Sequence, residues 1–237
     1  MKFVLLALTT LAVVALPALG QDPQKVPSDI NKPFADPKAD EYVKKFETES
    51  REVYKHREAI VAGLRLKPGM SVADLGAGTG LFTRLIAEKV GRAGSVSAVD
   101  IAPAFLEHIA RESKRLDQPQ VKTVRGTQTS TGLPAASVDL VFVCDVYHHV
   151  EEPAKWLASV HDTLKPDGRL VVIEFDRDKA SADSFVKTHV RAGKDVFVRE
   201  IEAAGFRREV PTSVPNLQEN AFLLFRKVET GETGIKK

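Results

Sequence analysis

Three glycines at alternating positions, Gly76, Gly78 and Gly80, follow the short apolar run Ser71–Leu75 in the stretch "SVADLGAGTGLFT". A glycine loop after a strand adopts torsions that other residues avoid and lets a ligand approach the main chain, which is what nucleotide binding requires. Asp74 stands just before the loop, and Asp100 closes "SVSAVD" twenty residues after Gly80. A carboxylate ending the second strand can accept both hydroxyls of a ribose. No Gly-Lys-Ser/Thr follows the loop, so a P-loop is excluded. The dinucleotide fingerprint G-x-G-x-x-G puts its third glycine on Leu81, where tight helix–strand packing would be obstructed. A pyrophosphate also favours a helix N-terminus free of nearby anions, whereas Asp74 lies beside this one. The pattern suits a ligand that joins a ribose to a cationic or zwitterionic group. An NAD-dependent oxidoreductase stays open as the alternative.

A second set of reactive side chains lies further on, in "CDVYHHV" (144–150), with Glu174 and His189 beyond it. Histidine is the side chain that titrates near neutrality, which draws attention to His148 and His149. Together with Asp145, Glu174 and His189 they raise the question of a metal site. Adjacent side chains on an extended segment point in opposite directions, so no metal is expected here. Cys144 falls within an apolar strand and reads as a buried, inert thiol. Arg51, Tyr54 and Arg57 recur at helical spacing, either as a solvated face or as a lid over a site.

These residues need a frame to hold them. Strand-like runs at Ser71–Leu75, Ser95–Asp100, Val121–Arg125, Val138–Asp145 and Arg169–Phe175 alternate with helical patterns at Gly80–Val90, Pro103–Leu116 and Pro153–Leu164. The strands are rich in valine and leucine with little alternation, as when helices cover both faces. That order predicts an α/β fold with a doubly wound, mostly parallel sheet. "STGLPAAS" takes the place of one crossover helix. Upstream, Phe46, Val53 and Ile60 repeat every seven residues and predict one helix from Asp40, stopped by "KPG" at 67–69. Downstream, a helical region over Ala182–Ala204, with a possible break near Gly193, precedes two apolar runs, Phe206–Val214 and Ala221–Val228. The gap between those runs is too short for a crossover helix, so they should be antiparallel neighbours.

The composition bounds the class. The chain has 237 residues, 43% hydrophobic and 28% charged, with a net charge of +2. No basic stripe interleaved with aromatics appears, so no nucleic-acid partner is expected. The lone cysteine rules out an intrachain disulfide. "MKFVLLALTTLAVVALPALG" has the layout of a secretory signal peptide over residues 1–20, with Ala18 and Gly20 ahead of a cut before Gln21. Export to a periplasm or the exterior, with no membrane insertion after cleavage, is the expectation; an uncleaved anchor is the alternative. Residues 21–39 carry four prolines and read as an extended arm, 40–228 as the domain, and 229–237 as a flexible tail.

"VADLGAGTG" followed by "SAVD" resembles the first two motifs of the class I S-adenosylmethionine-dependent methyltransferases. "SVDLVFVCDVYHHV" resembles their fourth-strand motif and "LKPDGRLVVIEF" the turn into their fifth strand. The resemblance covers about residues 40–228 and has the flavour of the small-molecule enzymes. It implies a Rossmann-like sheet of seven strands with a reversed last strand, and S-adenosylmethionine as cofactor. Asp74, Gly76, Gly78 and Gly80 would line its methionine end, Asp100 would hold the ribose, and Ile101 would pack on adenine. The family often has an acid after the third strand; here Thr127 and Gln128 stand in its place. Asp145 would sit near the methionine amine, or else cap a helix. The implied reaction is in-line transfer of a methyl group to a small-molecule acceptor. A base is required only where the acceptor must lose a proton, with His148 or His149, Tyr147 and Glu174 as candidates; Tyr147 reads equally as a pocket wall. Arg51 or Arg57 would meet the cofactor carboxylate or an anionic acceptor, and His189 and Arg191 the acceptor pocket. A non-catalytic cofactor-binding module of the same fold is a further alternative.

Overall fold

The computed structural model describes residues 25–27, 29–181, 184–211 and 216–228. Residues 1–20, expected as a signal peptide, residues 229–237, expected as a tail, and parts of the arm and of two downstream segments lie outside these. Seven strands form one sheet: β1 (Ser71–Leu75), β2 (Ser95–Asp100), β3 (Val121–Arg125), β4 (Val138–Cys144), β5 (Leu164–Phe175), β6 (Phe206–Glu209) and β7 (Asn220–Lys227), in the spatial order β3-β2-β1-β4-β5-β7-β6. Strands β1 to β5 pair in parallel, and β7 runs antiparallel to both β5 and β6. The order reverses between β1 and its neighbours β2 and β4, so the carboxyl ends of these strands flank the crevice where open α/β sheets bind ligands.

Helices α4 (Leu81–Val90), α5 (Pro103–Arg115) and α6 (Pro153–Thr163) occupy the positions read from the sequence. Both faces of the sheet are dry. On one, Ala73, Val141, Val143, Leu170 and Val172 pack under Leu157 and Val160 of α6 and under Phe197 and Ile201 of α8 (Lys194–Ala203). On the other, Val72, Leu140, Phe142, Val171 and Ile173 meet Phe82 and Ile86 of α4 and Ile60 and Val61 of α3 (Arg57–Gly63). Alternate residues of each strand feed opposite cores, which explains the unbroken valine and leucine runs. The edge strands β3 and β6 carry Lys122, Arg125, Arg207 and Arg208, charges that discourage edge-to-edge pairing. Residues 126–137 connect β3 to β4 without a helix.

The N-terminal region departs from the expected single helix. It breaks into α1 (Ala39–Phe46), α2 (Glu52–Lys55) and α3. The Glu52 carboxylate accepts the main-chain N–H groups of Gln218, Glu219 (2.9 Å) and Asn220 (2.7 Å), drawing α2 to the start of β7. Those charge-assisted bonds are available only if the chain turns between α1 and α2. Strand β5 starts five residues earlier than expected. Its register against β4 jumps from Val138↔Leu164 to Leu140↔Arg169, a bulge in which Asp167 takes a positive φ of 59°. The region before β6 contains α7 (Phe185–His189) and α8, divided at Gly193, and β6 closes at Glu209. Among the described residues no helix is long and apolar enough to cross a membrane.

Candidate active site

The glycine loop is held from below. Gly76 and Ala77 donate their N–H groups to the Val99 carbonyl of β2 at 2.8 and 3.0 Å. Gly76 has φ 69°, and a Cβ placed there would lie 2.4 Å from Val146 Cγ2. Gly80, with φ 76°, precedes α4 and lies where a Cβ would meet Ile109 of α5 at 2.8 Å. Close helix packing thus falls to Gly80, which leaves Leu81 free to line the cleft above.

That cleft has about 1190 Å³ of empty space, its solvent-facing mouth included. Its floor comes from the ends of β1, β2 and β4: Asp74, Gly76, Gly78, Asp100, Ile101 and Asp145 all line it. Thr127 and Gln128 line it from the loop after β3, and His149 from the turn after β4. Asp100 is pinned, its Oδ2 accepting the Gly78 N–H and its Oδ1 the Ala102 N–H, both at 2.9 Å. Each oxygen keeps a lone pair for a ligand hydroxyl. Burial raises its pKa against the pull of these N–H groups. Asp74, 3% exposed, accepts the Thr83 hydroxyl at 2.6 Å. Burial, opposed by Thr83 and reinforced by Asp100, pushes its carboxyl up to about 7.

Asp145 holds a positive φ of 52°, a conformation that aspartate tolerates better than most residues. Its carboxylate accepts Arg51 at 2.5 Å and the Asn220 amide at 2.7 Å. Burial raises its pKa although Arg51 acts against this. Arg51 lies 4.8 Å over the Phe46 ring and lines the cleft, so the lid reading applies to it. Arg57 instead bonds the Tyr54 carbonyl and Glu49, away from the cleft.

The candidate bases separate by position. Tyr147 is fully buried in the core and donates its hydroxyl to Glu200 at 2.8 Å, while Arg191 grips Glu200 with both terminal nitrogens. Burial and Glu200 hold that phenol protonated. Neither Tyr147 nor Arg191 reaches the cleft, which corrects both acceptor-side assignments and the pocket-wall reading. His148 is 1% exposed, with Nδ1 2.8 Å from Glu174 Oε1 and its N–H donated to Glu174 Oε2 at 3.1 Å. Neither it nor Glu174 lines the cleft, so their assignment as bases acting directly on the acceptor is likewise corrected. Of the pair, His149 does face it, with Nδ1 2.9 Å from Asn31 Oδ1. Burial, with His148 and His189 adding, drives the pKa of His149 far down. His189 is lowered by burial too and lies outside the cleft wall, in contact with both other rings. The expectation that adjacent histidines diverge fails because Tyr147–His149 form a 3₁₀ turn, not an extended segment. Cys144 is half-buried and opens onto the cleft, its thiol kept neutral by burial.

The Pro-rich arm supplies residues that the sequence reading missed. Asn31 donates to the His149 carbonyl at 3.1 Å and to Glu151 at 2.8 Å, and Phe34 packs edge-on against the His149 ring. Asn31, Phe34 and Phe46 all line the cleft. An isolated phenylalanine amid prolines and charges was the one available signal, since no period marks such a segment. Glu47 closes this cover: it accepts the Thr79 hydroxyl at 2.8 Å and Arg84 at 2.7 Å.

A family model described as a methyltransferase domain matches residues 73–170, the span that holds the glycine loop, Asp100, Asp145 and His149. Over that span the chain is similar to a methyltransferase domain. It is 37% identical over 115 residues to a ubiquinone/menaquinone biosynthesis C-methyltransferase of Legionella pneumophila, covering 46% of this chain and 44% of that one. It is 33% identical over 135 residues to a demethylmenaquinone methyltransferase of Tropheryma whipplei, covering 57% and 54%. The chain therefore spans about half the length of these curated relatives. A crystal structure of a SAM-dependent methyltransferase from Aquifex aeolicus shares the fold, with a TM-score of 0.68, 23% identity and coverage of 80% and 98%. That enzyme is described as dependent on S-adenosylmethionine, and the residues of the cleft fit such a ligand. Gly76 and Gly78 line a cradle at positive φ, Asp100 presents free lone pairs, and three buried acids suit a ligand carrying sulfonium and ammonium charges.

Proposed function

We propose that the protein transfers a methyl group from S-adenosylmethionine to a small-molecule acceptor. The observation that carries this is the convergence of Asp74, Asp100 and Asp145 on one cleft whose charged cover residue is Arg51. When bound, the cofactor supplies a methyl group already activated on a sulfonium. The protein's share of the work is alignment and exclusion of water. Asp100 accepts the ribose hydroxyls, and Asp74 and Asp145 attract the cationic methionine end. Arg51, shared with Asp145, takes the methionine carboxylate. Ile101, Thr127 and Gln128 receive the adenine edge. Phe34 and Phe46 cover the cleft, and His149 stands on its wall as the polar group nearest the arm, where it receives the acceptor. The relatives are named for ubiquinone/menaquinone biosynthesis and for demethylmenaquinone methylation, and a ring-bearing acceptor suits a wall of Phe34, His149 and Val150.

Calorimetry of the purified full chain with S-adenosylmethionine and S-adenosylhomocysteine tests this reading. Saturable binding of both is expected, and Asp100→Ala should weaken it by about 1–3 kcal/mol as a buried ribose loses its acceptors. Binding of NAD with no binding of either sulfur compound would overturn it. Tight binding without turnover over a broad acceptor panel would leave a cofactor-binding module instead.

A further inference from the structure

We propose that His148, His149 and His189 bind one divalent transition-metal ion, zinc or an ion of similar preference, where the acceptor side of the cleft meets α7. One ligand nitrogen from each ring lies within 4.8 Å of the others. Three atoms at that limit share a centre about 2.8 Å from each, against about 2.0–2.1 Å for zinc to imidazole, so the rings need to draw in by less than about 1 Å. His189 sits on the five-residue helix α7, a short element suited to such a shift.

The hydrogen bonds around the cluster aim it. His148 gives its Nδ1–H to the buried Glu174 carboxylate, and His149 gives its Nδ1–H to the Asn31 carbonyl oxygen. Each bond occupies Nδ1 and leaves Nε2 without a hydrogen-bond partner among the described residues, free to offer its lone pair to an ion when the ring is neutral. Carboxylate or carbonyl behind imidazole is the arrangement that orients metal-binding histidines. His189 likewise has no hydrogen bond among the described residues, and its neutral ring adds a third lone pair. A single water has two protons and cannot satisfy three such acceptors. A metal ion takes all three and keeps a fourth position. Phe34, Phe175 and Phe185 stand beside the rings at centroid distances of 5.2, 5.9 and 5.4 Å. Packing alone would not call for three converging nitrogens or for a buried carboxylate behind one of them.

His149 belongs to both the cluster and the cleft wall, so the open position is available to an oxygen, sulfur or nitrogen donor of the acceptor. This role rests on the methyl-transfer reading, whereas metal binding does not. An acceptor hydroxyl or thiol coordinated there releases its proton to water. Its oxygen or sulfur then forms the bond to the methyl carbon as the sulfonium–methyl bond breaks and the pair stays on the departing sulfur.

The test titrates chelator-treated full-length protein with Zn²⁺ by calorimetry and with Co²⁺ by absorption spectroscopy. One ion per chain is expected, with visible Co²⁺ bands of the intensity typical of four-coordinate sites. His189→Gln should lower Zn²⁺ affinity at least about 100-fold, and Glu174→Gln by about 10–100-fold, the usual effect of losing the group behind a ligand. Far-UV circular dichroism and S-adenosylhomocysteine affinity should stay unchanged in His189→Gln, showing that the fold survives. Absence of one-per-chain binding, or its retention in a His149→Gln/His189→Gln double variant, would overturn the inference. Metal binding without S-adenosylhomocysteine binding would sink the methyltransferase reading alone; the reverse would sink the metal site alone.

Discussion

Asp74 is a carboxyl group whose ordinary chemistry is displaced by its surroundings. Its folded pKa, about 7, stands above the unfolded value near 3.8. The unfolded chain therefore releases this proton first, and the stability contributed by the neutral group is lost as pH rises from about 4 through 7. Asp74→Asn keeps an acceptor for Thr83 and removes the penalty. Urea unfolding should show the variant gaining on the parent with rising pH, by up to roughly 4 kcal/mol at pH 8 and by little at pH 4. The same ionisation should serve the ligand: affinity for S-adenosylmethionine should rise up to about tenfold from pH 6 to pH 8 in the parent and stay flat in Asp74→Asn. Tyr147 offers the contrasting case. Its hydroxyl belongs to Glu200 in the core, so Tyr147→Phe should cost about 1 kcal/mol of stability and leave turnover unchanged. A large loss of turnover with stability intact would restore a role in the chemistry. The glycines and acids were legible because their chemistry is local to a strand end. The environment of Tyr147 was not, because Glu200 lies 53 residues away.

At the scale of elements, the segment from Asn31 to Arg51 covers the cleft, and Glu47 latches it to the glycine loop through Thr79 and to α4 through Arg84. Glu47→Ala removes both acceptors and leaves the helices and sheet intact. Hydrogen exchange should quicken across residues 39–55 while β1 and β4 keep their protection, and S-adenosylhomocysteine affinity should fall severalfold. Unchanged exchange would show that Phe34 and Phe46 hold the cover by packing alone. The seven-residue apolar repeat in this region was genuine, since Val53 and Ile60 are buried. It did not reveal the break between α1 and α2, because the bonds that stabilise the turn run from Glu52 to residues more than 160 positions away. The 3₁₀ turn at Tyr147–His149 was hidden for a similar reason: its histidines are oriented by Glu174 and Asn31, on β5 and the arm.

At the scale of the molecule, one sheet separates two apolar layers, and neighbouring residues of each strand belong to opposite layers. Damage to one layer is therefore felt by both. Phe225 is fully buried on β7, and Phe225→Ala should cost about 3–5 kcal/mol in a single cooperative transition. Two separate transitions would show that the layers fold independently. The alternation of strands and helices, the missing crossover at 126–137 and the reversed last strand all follow from local period and connection length, which adjacent residues carry by themselves. So do the positions of the glycine loop and Asp100 at the ends of the first two strands. The amino-acid sequence thus determined the architecture and the strand-end floor of the cleft. Tertiary structure decided which histidine faces the cleft, which tyrosine is held in the core, how the Pro-rich arm becomes a cover, and that one nitrogen from each of three imidazoles lies within 4.8 Å of the others. Each of those outcomes depends on contacts between residues far apart in the chain, whose partners no local pattern names.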